Sequence, residues 1–144
     1  MVARAGLHNV CSLVCQLDGR LDMDRLRERV KLATRIMPEL RWQLARRRAL
    51  WPTWRPASSV EVAVSRHEVD RVLPGVMDLL AKPLEQLWSV DVLSCGDQDA
   101  LVFRWFHSLT DARGAARFVK WLGGSDETAP DAEARFRTSD RLLN

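Results

Sequence analysis

Trp105-Phe106-His107-Ser108-Leu109-Thr110-Asp111-Ala112 follows a near-continuous apolar run from Ala100 to Phe106 and leads into a stretch of helical spacing from Asp111 to Leu122. An apolar run bounded by turn signals reads as a buried strand. Ala115, Ala116, Phe118, Val119 and Leu122 make one apolar side of a helix. The order is therefore strand, His107, three residues, Asp111, helix. A residue at the end of a buried strand is held rigidly yet can face a cleft, which suits a general base. Histidine fits the task because its unperturbed pKa, about 6.5, lets it take and return a proton near neutral pH. Asp111 places a negative charge at the helix start, where the helix dipole favours it. By itself the HxxxD string is short, and a strand-end His followed by a capping Asp recurs by chance.

Upstream of it, Leu87 to Leu93 reads as a strand and Cys95-Gly96-Asp97-Gln98-Asp99 as a hairpin loop, which makes two neighbouring antiparallel strands deep in a sheet. Val72 to Ala81 has the spacing of a helix, with Pro74 tolerated near its first turn and Pro83 punctuating its end. Val60-Glu61-Val62-Ala63-Val64 alternates as a strand does, and Leu50 to Trp54 reads as extended. At the other end of the chain, Asn9 to Leu17 reads as a strand and Asp18-Gly19 as a turn. Leu21, or Asp22 as N-cap, then opens a helix with Leu26, Val30, Ala33 and Ile36 to Met37 at helical spacing. Pro38 ends it, because its ring cannot continue an interior turn, and Leu40 to Leu44 reads as a short strand. Gly123-Gly124 closes the last helix. Beyond it, 125–144 is polar and small, a tail or a truncated linker. The pattern predicts an α+β fold, a mixed and mostly antiparallel sheet packed against helices.

A chain of 144 residues can bury the core of one domain. A net charge of +3 with ordinary apolar and charged fractions forces neither a nucleic-acid nor a membrane partner. No apolar run is long enough to span a bilayer. The patch Val10 to Leu17 is short, contains Cys and Gln, and has no small-residue cleavage site behind it, so it does not read as a signal peptide. Cys11, Cys15 and Cys95 fit no zinc spacing and read as reduced, buried thiols of a cytoplasmic protein without a metal. The six tryptophans read as core or edge packing, some of them on a face awaiting a partner. His8 and His67 stand alone in the sequence and are given no role.

The segment around His107 resembles the HHxxxDG signature of the chloramphenicol acetyltransferase-like superfamily, which includes peptide-synthetase condensation domains, wax ester synthases and other HxxxD acyltransferases. The likeness extends in order from about Asn9 to Leu122. Leu17-Asp18-Gly19-Arg20-Leu21-Asp22, then Met37-Pro38-Glu39-Leu40-Arg41, resemble the family's opening strand, first helix and following segment. Lys82-Pro83-Leu84 to Val92 resembles the stretch before the motif. Two positions depart: Phe106 stands at the first motif His and Ala112 at the motif Gly, with Arg113-Gly114 following as a source of flexibility.

The resemblance implies that His107 takes the proton of an acceptor amine or hydroxyl as it attacks a thioester. The acyl donor would be coenzyme A or an acyl carrier protein, a co-substrate rather than a bound cofactor. Asp111 would hold the shape of the site, in the family by pairing with an arginine from elsewhere. Family members are much longer and place the site in a tunnel between two similar lobes. Residues 1–124 therefore resemble the N-terminal lobe alone, and a lone lobe exposes His107 to water and loses half its substrate contacts. A second-lobe protein or self-association is the expected partner. Two other readings compete. One is a non-catalytic interaction module or degenerate remnant of the same fold, to which Phe106 and Ala112 point. The other is nucleic-acid binding by the basic first third, Arg20 to Arg35 with Arg41 and Arg46 to Arg48. Acids alternate with these cations on the helix and no nucleic-acid motif accompanies them. The same cations suit an acidic carrier protein or the phosphates of coenzyme A.

Overall fold

The structure, a computed structural model, describes residues 10–45, 53–56, 62–84 and 86–124. Six strands and three helices follow the order β1 (Val10–Gln16), α1 (Met23–Ile36), β2 (Trp42–Ala45), β3 (Thr53–Pro56), β4 (Val64–Glu68), α2 (Val72–Ala81), β5 (Trp88–Cys95), β6 (Gln98–Phe106) and α3 (Ala112–Gly123), with a short 3₁₀ turn at Pro38–Arg41. The main sheet has the order β1-β6-β5-β4. β1 and β5 both run antiparallel to β6, whereas β4 lies parallel to β5. A parallel neighbour needs a crossover, and α2 provides it. β2 and β3 form a separate antiparallel pair. This is the expected α+β arrangement, with β5 and β6 in the interior of the sheet.

Side-chain alternation sorts the strands onto two faces. Leu101, Phe103 and Trp105 of β6 and Trp88, Val90 and Val92 of β5 meet Leu26, Val30 and Ala33 of α1 and Ala115, Phe118 and Leu122 of α3 in one core. Phe103 is its centre, 5.0 Å from the Trp105 ring, 5.4 Å from Phe118 and 5.9 Å from Trp88. A smaller cluster on the opposite face joins Val76 and Leu79 of α2 to Leu93, Ala100 and Val102. On that face Ser12, Val14 and Gln16 of β1 remain exposed.

The helices begin where the sequence says they should. Asp22 caps α1 by accepting from the backbone N–H of Asp24 and Arg25, the bonding that makes Asp a good N-cap. The hairpin between β5 and β6 is tighter than the expected five-residue loop. Its two turn residues are Gly96 and Asp97, and Gly96 takes φ 60°, a conformation open to glycine at no steric cost. Gly123 still belongs to α3, and Gly124 caps it at φ −76°, so the helix ends without the left-handed residue that a Gly-Gly pair suggests.

The largest departure is β4. Alternation places a strand at Val60 to Val64, but the paired segment is Val64–Glu68, with Val62 buried ahead of it in the core. Residues 60 and 61 lie outside the described residues, as do His8, Arg46 to Arg48, 50–52 and the segment 125–144. Arg66 and His67 can occupy a strand beside buried β5 because each finds a carboxylate. Arg66 Nη2 donates to Asp99 Oδ2 at 2.7 Å and to Leu21 O at 2.7 Å, and His67 Nε2 lies 3.1 Å from Asp91 Oδ1.

Asp99 is the hub that joins three elements. Its buried carboxylate accepts from Leu21 N at 2.7 Å, Ser94 Oγ at 2.6 Å and Arg66 Nη2. Burial pushes its pKa up, but the bonds from Leu21, Ser94 and Arg66 together with the Arg66 charge outweigh that and hold the carboxyl below its ordinary value. Among the described residues, several cations of the first third are engaged within the molecule. Arg25 and Arg29 both donate to Gly124 O, Arg29 stands 5.3 Å over the Trp121 ring, and Arg27 pairs with Asp24. Arg20 donates to Gly96 O at 2.7 Å.

Candidate functional site

β6 ends at Phe106, whose N–H donates to Leu87 O at 3.0 Å and whose register partner is Val10 of β1. The chain then turns through 107–111 into α3. The turn is closed at its base by Leu109 N donating to Phe106 O at 2.8 Å. Leu109 and Thr110 are buried, at 2% and 5% exposure, so they pin the turn to the body of the protein. His107 and Ser108 project from it and are exposed. His107 thus stands on a short, anchored connection at the end of the sheet, with no hydrogen bond or ion pair to another described residue.

Asp111 is the N-cap of α3, and its Oδ1 accepts from Gly114 N at 2.7 Å. No arginine among the described residues pairs with it; its bonding is to its own helix. Gly114 has a different job from the flexibility that its sequence context suggests. A Cβ there would collide with Thr110 Oγ1 and lie 3.3 Å from Asp111 Oδ1. Gly114 is therefore the place where the threonine ahead of the cap folds down onto the first helical turn. Ala112, at the position of the motif glycine, is the first residue of α3 and needs no positive φ. Phe106, at the position of the first motif histidine, is buried and joins the main core.

Trp105 completes the support. Its ring stacks on Phe103 at an interplanar angle of 17°, and its Nε1 donates to Thr110 O at 2.9 Å. The side chain of the penultimate strand residue thus reaches across the turn to the carbonyl just before the helix cap.

A second polar cluster lies under α2, and sequence reading missed it. Arg104, in the middle of the apolar β6 run, is buried and donates through Nη1 to Leu79 O at 2.6 Å and Lys82 O at 3.1 Å, closing the C-terminal end of α2. Its Nη2 is 3.7 Å from Asp91 Oδ2 and its Nε donates to Ser89 Oγ at 3.2 Å. His67, which stands alone in the sequence, touches the same carboxylate. The available signal was Asp91 and Arg104 themselves, charges inside apolar strands, which need partners when buried. This cluster is structural in its bonding and lies among strand and helix backbone.

Two clefts lie elsewhere, and His107 lines neither. One of about 340 Å³ is bounded by Arg27, Val30, Lys31 and Thr34 of α1 and by 62–64. The other, about 330 Å³, lies between Glu68 and the start of α2. Cys11 and Cys15 are half-buried on the core side of β1, where burial pushes the Cys15 thiol up, and Cys95 Sγ donates to Asp70 O at 3.2 Å. Among the described residues no His, Cys, Asp and Glu group is placed to hold a metal, and no helix is long and apolar enough to cross a membrane.

No family model matches the sequence, and comparison with curated proteins gives no match. Solved structures do match. The first condensation domain of the calcium-dependent antibiotic synthetase, in complex with a substrate analogue, superimposes with a TM-score of 0.62 at 17% identity. That match covers 81% of this chain and 31% of the other. The SgcC5 protein from Streptomyces globisporus gives 0.62 at 16% identity, over 79% of this chain and 29% of its own. A variant starter condensation domain of rhizomide synthetase, in complex with C8-CoA, gives 0.61 at 12% identity, over 79% and 29%. The chain has the fold of condensation domains and spans less than a third of the length of each of these structures.

Proposed function

We propose, with the condensation-domain fold as premise, that this chain is one lobe of an acyl-transfer site and that His107 is its general base. The observation that carries the reading is the placement of His107-x-x-x-Asp111 between the interior strand β6 and the capped helix α3, in a fold shared with condensation domains. The imidazole is exposed on an anchored turn, where an acceptor can reach it. The reaction is transfer from a thioester of coenzyme A or of an acyl carrier protein to an amine or hydroxyl. The acceptor attacks the thioester carbonyl and His107 takes its proton. The bond from carbonyl carbon to acceptor forms, the carbon–sulfur bond breaks, and the departing thiolate takes the proton back from His107. Asp111 does not touch substrate; by capping α3 it fixes where the turn ends.

With His107 exposed, water exclusion and most substrate contacts fall to a second lobe, on a separate chain or a second copy. Catalysis by an isolated lobe would lose the positioning that makes a bimolecular step fast. A soluble, cytoplasmic setting suits the free thiols and the thioester donors.

The test is replacement of His107 by Ala in the full chain, assayed with a second lobe by release of free thiol from an acyl-thioester donor. Loss of about 100-fold or more in rate with the circular dichroism spectrum unchanged is the outcome expected for a general base. Equal rates in the two proteins would favour an interaction module of the same fold, the alternative to which the buried Phe106 lends support.

A further inference from the structure

We propose that Trp105 is a positioning residue for His107, its indole N–H setting the orientation of the turn on which the imidazole stands; this rests on reading His107 as the base. Among the described residues nothing bonds to the His107 side chain, so its direction is decided by the backbone of 106–110. Phe106 N to Leu87 O at 3.0 Å anchors its start, and two further hydrogen bonds hold the turn itself, Leu109 N to Phe106 O at 2.8 Å and Trp105 Nε1 to Thr110 O at 2.9 Å. The second spans the whole turn and ties its far end to a side chain that cannot move. Trp105 is 2% exposed and stacked 5.0 Å from Phe103, which Phe118 also contacts at 5.4 Å. Thr110 is held from the other side as well, since its Oγ1 occupies the space that a Cβ on Gly114 would fill. Without the indole donor, the buried Thr110 carbonyl loses its partner and the far end of the turn loses its hydrogen bond to the aromatic core beneath it.

Trp88 provides a matched control. It is equally buried, packs on the same Phe103, and donates its own Nε1 to a distant carbonyl, Leu40 O, at 2.8 Å. Trp105→Phe and Trp88→Phe each remove one indole and one buried hydrogen bond, but only the first removes a bond of the His107 turn. The experiment measures amide exchange at Leu109 and the imidazole resonances of His107 by nuclear magnetic resonance in the full chain. Trp105→Phe should accelerate Leu109 exchange about tenfold beyond Trp88→Phe and shift or broaden the His107 signals, while Trp88→Phe leaves those signals in place. With a second lobe present, Trp105→Phe should lower kcat about tenfold at unchanged KM, and Trp88→Phe should change neither.

Identical Leu109 exchange and His107 spectra in the two variants overturn the proposal. If Trp105→Phe does not fold, benzothienylalanine at the same position keeps the ring shape, lacks the donor and gives the same readouts. Failure of the underlying reading looks different: His107→Ala would transfer as fast as the unaltered chain. That result removes the base, whatever the spectra show.

Discussion

Gly114→Ala should destabilise the protein although alanine is the better helix former. The alanine Cβ would collide with Thr110 Oγ1, well inside the closest approach of real side chains. Thr110 cannot simply swing away, because it is 5% exposed and its carbonyl is held by Trp105. Relief requires either a strained Thr110 rotamer or a shift of the first turn of α3, which would stretch the Asp111 Oδ1 bond to Gly114 N. Overpacking of this kind costs about 2 kcal/mol. Weakening the cap adds about 1 kcal/mol, and the helix propensity of alanine returns at most about 1 kcal/mol. The net loss is about 2 kcal/mol, or about 8 °C in Tm for a domain of this size. Gly123→Ala is the internal control. It lies in the same helix at negative φ, with nothing within 4 Å of a new Cβ, and should be neutral or stabilising. Urea unfolding followed by circular dichroism at 222 nm checks both. If Gly114→Ala is as stable as Gly123→Ala, the close approach that organises the turn is not there.

Asp99→Asn should cost about 2 kcal/mol at neutral pH, because it replaces a buried carboxylate bonded to Leu21 N, Ser94 Oγ and Arg66. The folded-state pKa of Asp99 is depressed, so its contribution is present above the unfolded pKa of about 3.9 and is lost as pH falls through the folded value. The stability gap between the two proteins in urea should therefore be constant from pH 7 to 5 and close in stronger acid; a gap that persists there refutes the assignment. Arg104→Met should cost about 3 kcal/mol by leaving Asp91 buried beside His67 and Ser89 without its arginine, the Lys82 carbonyl without that donor, and the Leu79 carbonyl with Lys82 N alone. Adding Asp91→Leu should restore part of that loss in the same unfolding assay, whereas simple additivity of the two single losses would show that the charges do not interact.

The frame of the fold was legible where local pattern and tertiary environment agree. The apolar β6 run, the capping Asp111 and the amphipathic α3 announce strand, turn and helix, and Asp22 and Pro38 bound α1 for reasons internal to the chain. β4 was misplaced because its best residues are polar. Arg66 and His67 belong in a strand only once Asp99 and Asp91 are beside them, and those partners are distant in sequence and fixed by the pairing of β4, β5 and β6. For the candidate site, sequence supplied His107 and Asp111 but not their supports. The bond from Trp105 to Thr110 and the contact of Thr110 with Gly114 depend on a turn geometry that no spacing rule encodes. The arginine expected opposite Asp111 was a property of the resemblance, and here the carboxylate serves its own helix.

The most direct test follows thiol release from an acyl-coenzyme A or acyl-carrier-protein thioester while a second condensation-type lobe is titrated into the full chain with an amine or hydroxyl acceptor. A rate that is negligible for either lobe alone, rises to saturation with the second lobe and vanishes with His107→Ala is the predicted result. Release that does not depend on the second lobe, or that survives the loss of His107, would contradict the account.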